Sequence, residues 1–134
     1  MEKRVTVKAK PDGTWTFVDV LWSAPLRLQF AAAAGQKWNY SASGQCTADG
    51  DPQSLIDPAR TILGSGPVGA IIGKIGGSSA GASDGAATFL VGSRCAFETK
   101  ADWRGILYLT INDEPRGMGN NSGEIEVVID IDVV

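Results

Sequence analysis

Glu124-Ile125-Glu126-Val127-Val128-Ile129-Asp130-Ile131-Asp132-Val133-Val134 closes the chain with its clearest alternation. Ile125, Val127, Ile129, Ile131 and Val133 fall on one face of an extended strand, while Glu124, Glu126, Asp130 and Asp132 fall on the other. Val128 alone is out of pattern. Successive side chains of a strand point to opposite sides, so this period of two predicts a half-buried strand. Its acidic outer face keeps it soluble and discourages edge-to-edge pairing. Immediately upstream, Ile106-Leu107-Tyr108-Leu109-Thr110-Ile111 reads as a second strand. Between the two lies a polar, glycine-rich loop, Asn112-Asp113-Glu114-Pro115-Arg116-Gly117-Met118-Gly119-Asn120-Asn121-Ser122-Gly123.

The same reading extends toward the N-terminus. Val5, Val7 and Ala9 alternate with Thr6, Lys8 and Lys10, and Pro11-Asp12-Gly13 turns the chain into residues 15–20, which predicts a hairpin. Leu26, Leu28 and Phe30 alternate with Arg27 and Gln29. Ala31 to Ala34 continue that strand, because Gly35 ends the run too soon for a helix. Residues 39–58 are rich in Ser, Gly, Asp, Asn and Pro without apolar periodicity, and are expected to form a long surface loop of the kind that often carries function. Residues 70–75 and 87–91 read as strands with a Gly/Ser/Ala-rich loop between them, and Cys95, Phe97 and Thr99 mark another. Roughly eight short strands without a needed helix predict an all-β fold of two packed antiparallel sheets.

At 134 residues the chain is long enough to bury a core without staples, and residues 1–134 are expected to form one domain. With 12 basic and 15 acidic residues and no basic cluster, nucleic acid is an unexpected partner. No run of eighteen apolar residues or apolar segment behind the N-terminal charges is present, which predicts no membrane insertion and synthesis in the cytosol, any export needing no cleaved leader. The absence of histidine removes Ser/His/Asp and Cys/His nucleophilic systems and most zinc sites. Cys46 and Cys95 are expected to be free thiols.

Gly64-Ser65-Gly66-Pro67-Val68-Gly69 fits the dinucleotide pattern, with Asp84 about twenty residues on, but the apolar run that follows is β-type, so no helix N-terminus faces a pyrophosphate. Asp113 and Glu114 are adjacent and point to opposite sides, a poor arrangement for flanking a glycosidic bond. Of the four tryptophans, Trp15 is expected in the core, while Trp38 is equally compatible with core or sugar stacking. The loop at 112–123 has the most to offer. Asp113, Glu114, Asn120, Asn121 and Ser122 supply side-chain oxygens, and its glycines let backbone carbonyls turn inward. Calcium takes about six to eight such oxygens at relaxed geometry. An ordinary polar connection between strands has the same composition.

Leu107-Tyr108-Leu109-Thr110-Ile111-Asn112-Asp113, followed by Gly119-Asn120-Asn121-Ser122-Gly123, resembles the galactophilic lectin family of Pseudomonas type, the LecA-like or PA-I-like lectins. Residues 66–76 resemble a second signature of that family and Phe89-Leu90-Val91-Gly92-Ser93 a third. The resemblance implies a jelly-roll β-sandwich and a calcium-dependent carbohydrate-binding protein, not an enzyme, in which two vicinal hydroxyls of a galactose-like sugar replace water on the ion. It implies calcium ligands at Asp113, Asn120 and Asn121, with carbonyls from Gly117 and, near residues 39–41, Tyr40. It also implies sugar contacts from Asp113, Glu114, Gly117, Asn120, Asn121 and Gln53. Family lectins commonly form homo-oligomers, which makes weak sugar sites useful. Two departures bear on the sugar: there is no His to hold its 6-hydroxyl, and Arg116 stands where the galactose lectin has Gly, so as either to block the site or to contact a larger or acidic glycan. The alternative is a structural β-sandwich in which calcium, if bound, only rigidifies the loop.

Overall fold

The computed structural model describes residues 1–22, 25–41, 44–76, 87–103, 105–114 and 119–134. They form two antiparallel sheets packed face to face. Among the described residues the strands are β1 (Glu2–Lys8), β2 (Thr16–Trp22), β3 (Leu26–Ala32), β4 (Trp38–Asn39), β5 (Gln45–Cys46), β6 (Ile71–Ile75), β7 (Ala87–Leu90), β8 (Arg94–Glu98), β9 (Gly105–Ile111) and β10 (Ser122–Val133). One sheet runs β5-β4-β10-β3-β8 with β1 also on β10, and the other runs β2-β9-β6-β7.

The closing alternation does what its period requires. Ile125, Val127, Ile129 and Ile131 are buried, while Glu124, Glu126, Asp130 and Asp132 are exposed. Val133 departs from the expectation: at the last residue of β10 it is 77% exposed. β10 is also not an edge. It takes β1 in register from Glu2↔Asp130 to Lys8↔Glu124 and β3 from Val127↔Ala32 to Val133↔Leu26, so its acidic side is a sheet surface and guards no open edge. Leu28, Phe30, Ile125 and Val127 meet Ile71, Ile75, Leu107, Leu109 and Ile111 of the other sheet in one core. Burial of that area is the main favourable term in the fold.

β1 and β2 do not form the expected hairpin. β1 pairs with β10 and β2 with β9, so the turn at Pro11-Asp12 carries the chain from one sheet to the other. A turn's local chemistry is the same whether the strands it joins pair or part, and here the two apolar faces are buried better on opposite sides of one core.

Residues 39–58 also correct the expectation of a structureless surface loop. They contain β5, the isolated bridges Thr47↔Gly50 and Asp49↔Ala70, and the buried side chains of Tyr40, Cys46 and Ala48. A 3₁₀ turn follows at Pro58–Arg60, capped by Asp57, whose Oδ1 accepts from Ala59 N at 3.0 Å. Residues 64–69 lead into strand β6 and not into a helix, as expected. Trp15 is buried, in a smaller cluster with Ile72 and Tyr108 outside the main core. There the Lys74 ammonium lies 5.0 Å from the ring centroids of both Trp15 and Tyr108. The two cysteines are free thiols.

Candidate functional site

β9 ends at Ile111, but its hydrogen bonding continues. Asn112 N donates to Ala70 O at 2.8 Å, Gly69 N donates to Asn112 O at 2.7 Å, and Ile62 N donates to Asp113 O at 3.2 Å. The Asn112 side chain is fully buried and fully used. Its Oδ1 accepts from Leu63 N at 2.9 Å, and its Nδ2 faces the carbonyls of Leu63, Gly66 and Pro67 at 3.1 to 3.2 Å. A buried amide with every group partnered fixes its surroundings, because each partner would be costly to leave unpaired. Asp113 is thereby mounted on a rigid strand end.

A second support comes from β4. Trp38 is completely buried and its Nε1 donates to Gly69 O at 2.7 Å. Its strand partner Gly123 has φ 91°, and a Cβ there would come within 3.0 Å of Trp38 Cα, so only glycine lets β10 start this close to β4. Tyr40 follows β4 directly and is held by its N–H on Gly44 O at 3.1 Å and by its hydroxyl on Asp51 Oδ2. Asn121, which precedes β10, is also buried.

These supports bring together Asp113, Asn121 and the backbone oxygen of Tyr40. Asn121 Nδ2 donates to Asp113 Oδ2 at 2.9 Å and to Tyr40 O at 3.2 Å, so the side-chain amide ties the carboxylate to the backbone oxygen. A hard cation at this point would be met by Asp113 Oδ2, Tyr40 O and, with the amide rotated, the Asn121 oxygen. Asp113 is buried, and this pushes its carboxyl above the usual range, with repulsion from Glu114 adding to the rise. Hydrogen bonds from Glu114 N, at 2.7 Å to Oδ1, and from Asn121 act in the other direction. A buried carboxylate costs free energy unless a positive charge offsets it. Among the described residues no three His, Cys, Asp or Glu side chains converge, so a cation at this point would be held mainly by amide and carbonyl oxygens.

The other candidates lie around this point. Asn120 is exposed in the turn before Asn121. The Glu114 carboxylate is 2.9 Å from the Arg60 guanidinium, so it is partnered away from Asp113. Gln53 is exposed, its N–H on Asp51 Oδ1 at 2.9 Å, in a groove of about 390 Å³ that it shares with Tyr40, Asp51 and Ser54. Gly117 and Arg116 lie outside the described residues, as does Asp84. Asn112 and Gly69 were not singled out by sequence reasoning. An Asn after an apolar strand reads as a turn former, and its partners are nearly fifty residues away. Trp38, open between core and sugar stacking, belongs to the core.

No protein-family model matches the chain, and no curated protein does. Solved structures do. The N-terminal domain of EclA, a PllA-like lectin, superposes with a TM-score of 0.57 at 16% identity, covering 96% of this chain and 95% of that one. The fold is that of a PllA-like lectin. The likeness spans both sheets and agrees with the resemblance carried by the motifs in residues 66–76, 89–93 and 107–123.

Proposed function

We propose that this protein is a calcium-dependent carbohydrate-binding protein that recognises a galactose-like sugar or another vicinal diol. The observation that carries the reading is the meeting of Asp113 Oδ2, the Asn121 side-chain amide and Tyr40 O around one point, with a buried carboxylate that is in no ion pair among the described residues. Asn120 and Gly117 complete the proposed protein shell. Bound calcium would supply the coordination positions that adjacent sugar hydroxyls occupy. The chain's own part is to fix those positions and to hydrogen-bond the same hydroxyls. Asp113 and Asn121 do the first from rigid strand ends, and Asp113, Asn120 and Asn121 do the second. Gln53, with Asp51 beside it, offers donors and acceptors along the adjoining groove.

The arrangement favours binding over hydrolysis. Asp113 is buried and the Glu114 carboxylate is paired with Arg60, so the two do not face a common bond as a glycosidase pair must. The likeness to a PllA-like lectin supports the same class. Isothermal titration of galactosides and of other vicinal-diol monosaccharides, with calcium and after chelation, tests the proposal. Heats that vanish with chelation and return with calcium are expected. Sugar binding indifferent to chelation would defeat the shared-metal mechanism, and a calcium-induced rise in melting temperature with no response to any sugar would leave the ion a purely structural role.

A further inference from the structure

Asn121 also lines a second groove, of about 430 Å³, whose other walls come from the end of β1, the turn after it and the start of β10. Exposed Pro11 gives it an apolar patch, and Lys8 and Lys10 border it. The segment is tied to the start of β10, since Ala9 N donates to Gly123 O at 3.0 Å and Gly13 N closes the turn on Lys10 O at 3.1 Å. Alternation about buried Ala9 puts Lys8 and Lys10 on the same side of the chain.

The charge of this groove is opposite to that of its setting. The chain carries −3 overall, and the outer face of β10 is acidic. Among the described residues neither lysine is in an ion pair. Asp12, the acid close to Lys10, directs Oδ1 to Thr14 N at 3.0 Å and Thr14 Oγ1 at 2.7 Å. Glu124, opposite Lys8 in register, is the one acidic residue among the groove's lining. Two ammonium groups beside exposed Pro11 suit a sugar ring that carries an anion: the ring's apolar face meets Pro11, and its charged substituent meets the lysines.

We infer that this groove is a subsite for an anionic unit, bearing a sulfate or carboxylate, of the glycan whose diol is held at Asp113 and Asn121. The inference rests on the carbohydrate-binding reading above and adds the charge class of the preferred ligand. Continuity through Asn121 is what makes one glycan able to reach both places.

The test is titration of the calcium-loaded protein with matched sulfated and unsulfated galactosides, at low salt and at high salt. In the wild-type protein the sulfated ligands should bind about fivefold more tightly at low salt, an advantage that high salt erases because exposed charges are screened. In Lys8→Gln/Lys10→Gln the advantage should disappear while the unsulfated galactosides bind unchanged. Glu124→Gln should enlarge it, which keeps the test available if the double variant folds poorly. Equal affinities for sulfated and unsulfated ligands in the wild type, with chelator-sensitive binding of both, would overturn this subsite and leave the calcium-dependent reading intact. A preference that survives the lysine substitutions would overturn the assignment to this groove. Failure of every galactoside and every other vicinal-diol monosaccharide to bind, sulfated or not, would overturn both.

Discussion

Replacing Asp113 by Asn should move stability in opposite directions with and without calcium. In the cation-free protein the carboxylate is buried, and burial together with Glu114 raises its pKa. A folded-state value above the unfolded one means that the protonated form favours the fold: this contribution is present below the ordinary carboxylate range and is lost as pH rises through the raised value. Near neutral pH the ionised group is therefore a burden. Asparagine keeps the shape and drops the charge. Its oxygen still accepts from Glu114 N, and its amide can pair with the Asn121 amide beside it. Relief of the buried charge should stabilise the chelated protein by on the order of 1 kcal/mol. For a chain of 134 residues, the unfolding entropy converts each kcal/mol into about 3–4 °C of melting temperature. With calcium at about a hundred times its dissociation constant the wild type should gain about 2.7 kcal/mol, or about 10 °C, and the variant most of that less. Differential scanning calorimetry with chelator and with calcium, at several pH values, measures all of it. A chelated variant that melts several degrees below the wild type, or that gains as much from calcium, would refute the account of Asp113 as a buried charge awaiting a cation.

Asn112→Ala removes the acceptor of Leu63 N and the donors to three carbonyls, at a cost of about 3 kcal/mol, seen as a fall of about 10 °C in a melting scan. Gly69→Ala should destabilise by about 1–3 kcal/mol in chemical denaturation, since Gly69 has φ 86° and an added Cβ would meet Cys46 Sγ and the Tyr40 ring. Because Tyr40 borders the cation point, the same variant should bind calcium more weakly by titration calorimetry. Burial pushes the Cys46 thiol up to about 11, so iodoacetamide at pH 8 should label it only after unfolding, as read by mass spectrometry of the native and denatured protein.

What could be read from the sequence was whatever a single strand settles by itself. β10, β9 and β6 announce themselves because burial on one face or both leaves a pattern in consecutive residues, and their bounds fall close to the expected ones. Pairing between distant strands leaves no such mark. The turn at Pro11-Asp12 looks the same in a hairpin and in a passage between sheets, and β4 and β5, at two residues each, are too short to show a period. Their burial is set by Trp38 and Cys46 meeting a glycine-rich segment beyond residue 60. Asp113 and Asn121 stand out as oxygen donors in a polar loop, and the family resemblance added Tyr40, a residue whose backbone oxygen no composition could single out. Asn112 stayed hidden because its side chain acts through distant partners, Leu63, Gly66 and Pro67.

The groups that meet at Asn121 belong to different halves of the sandwich. Asp113 extends β9 of the four-stranded sheet, while Tyr40 and Asn121 adjoin β4 and β10 of the six-stranded one. An ion bound among them would act as a removable clasp between the two halves, comparable in effect to a cross-link that chelation cuts. Amide hydrogen exchange should then slow on both sides of the core at once when calcium is added, far beyond the loop that holds it.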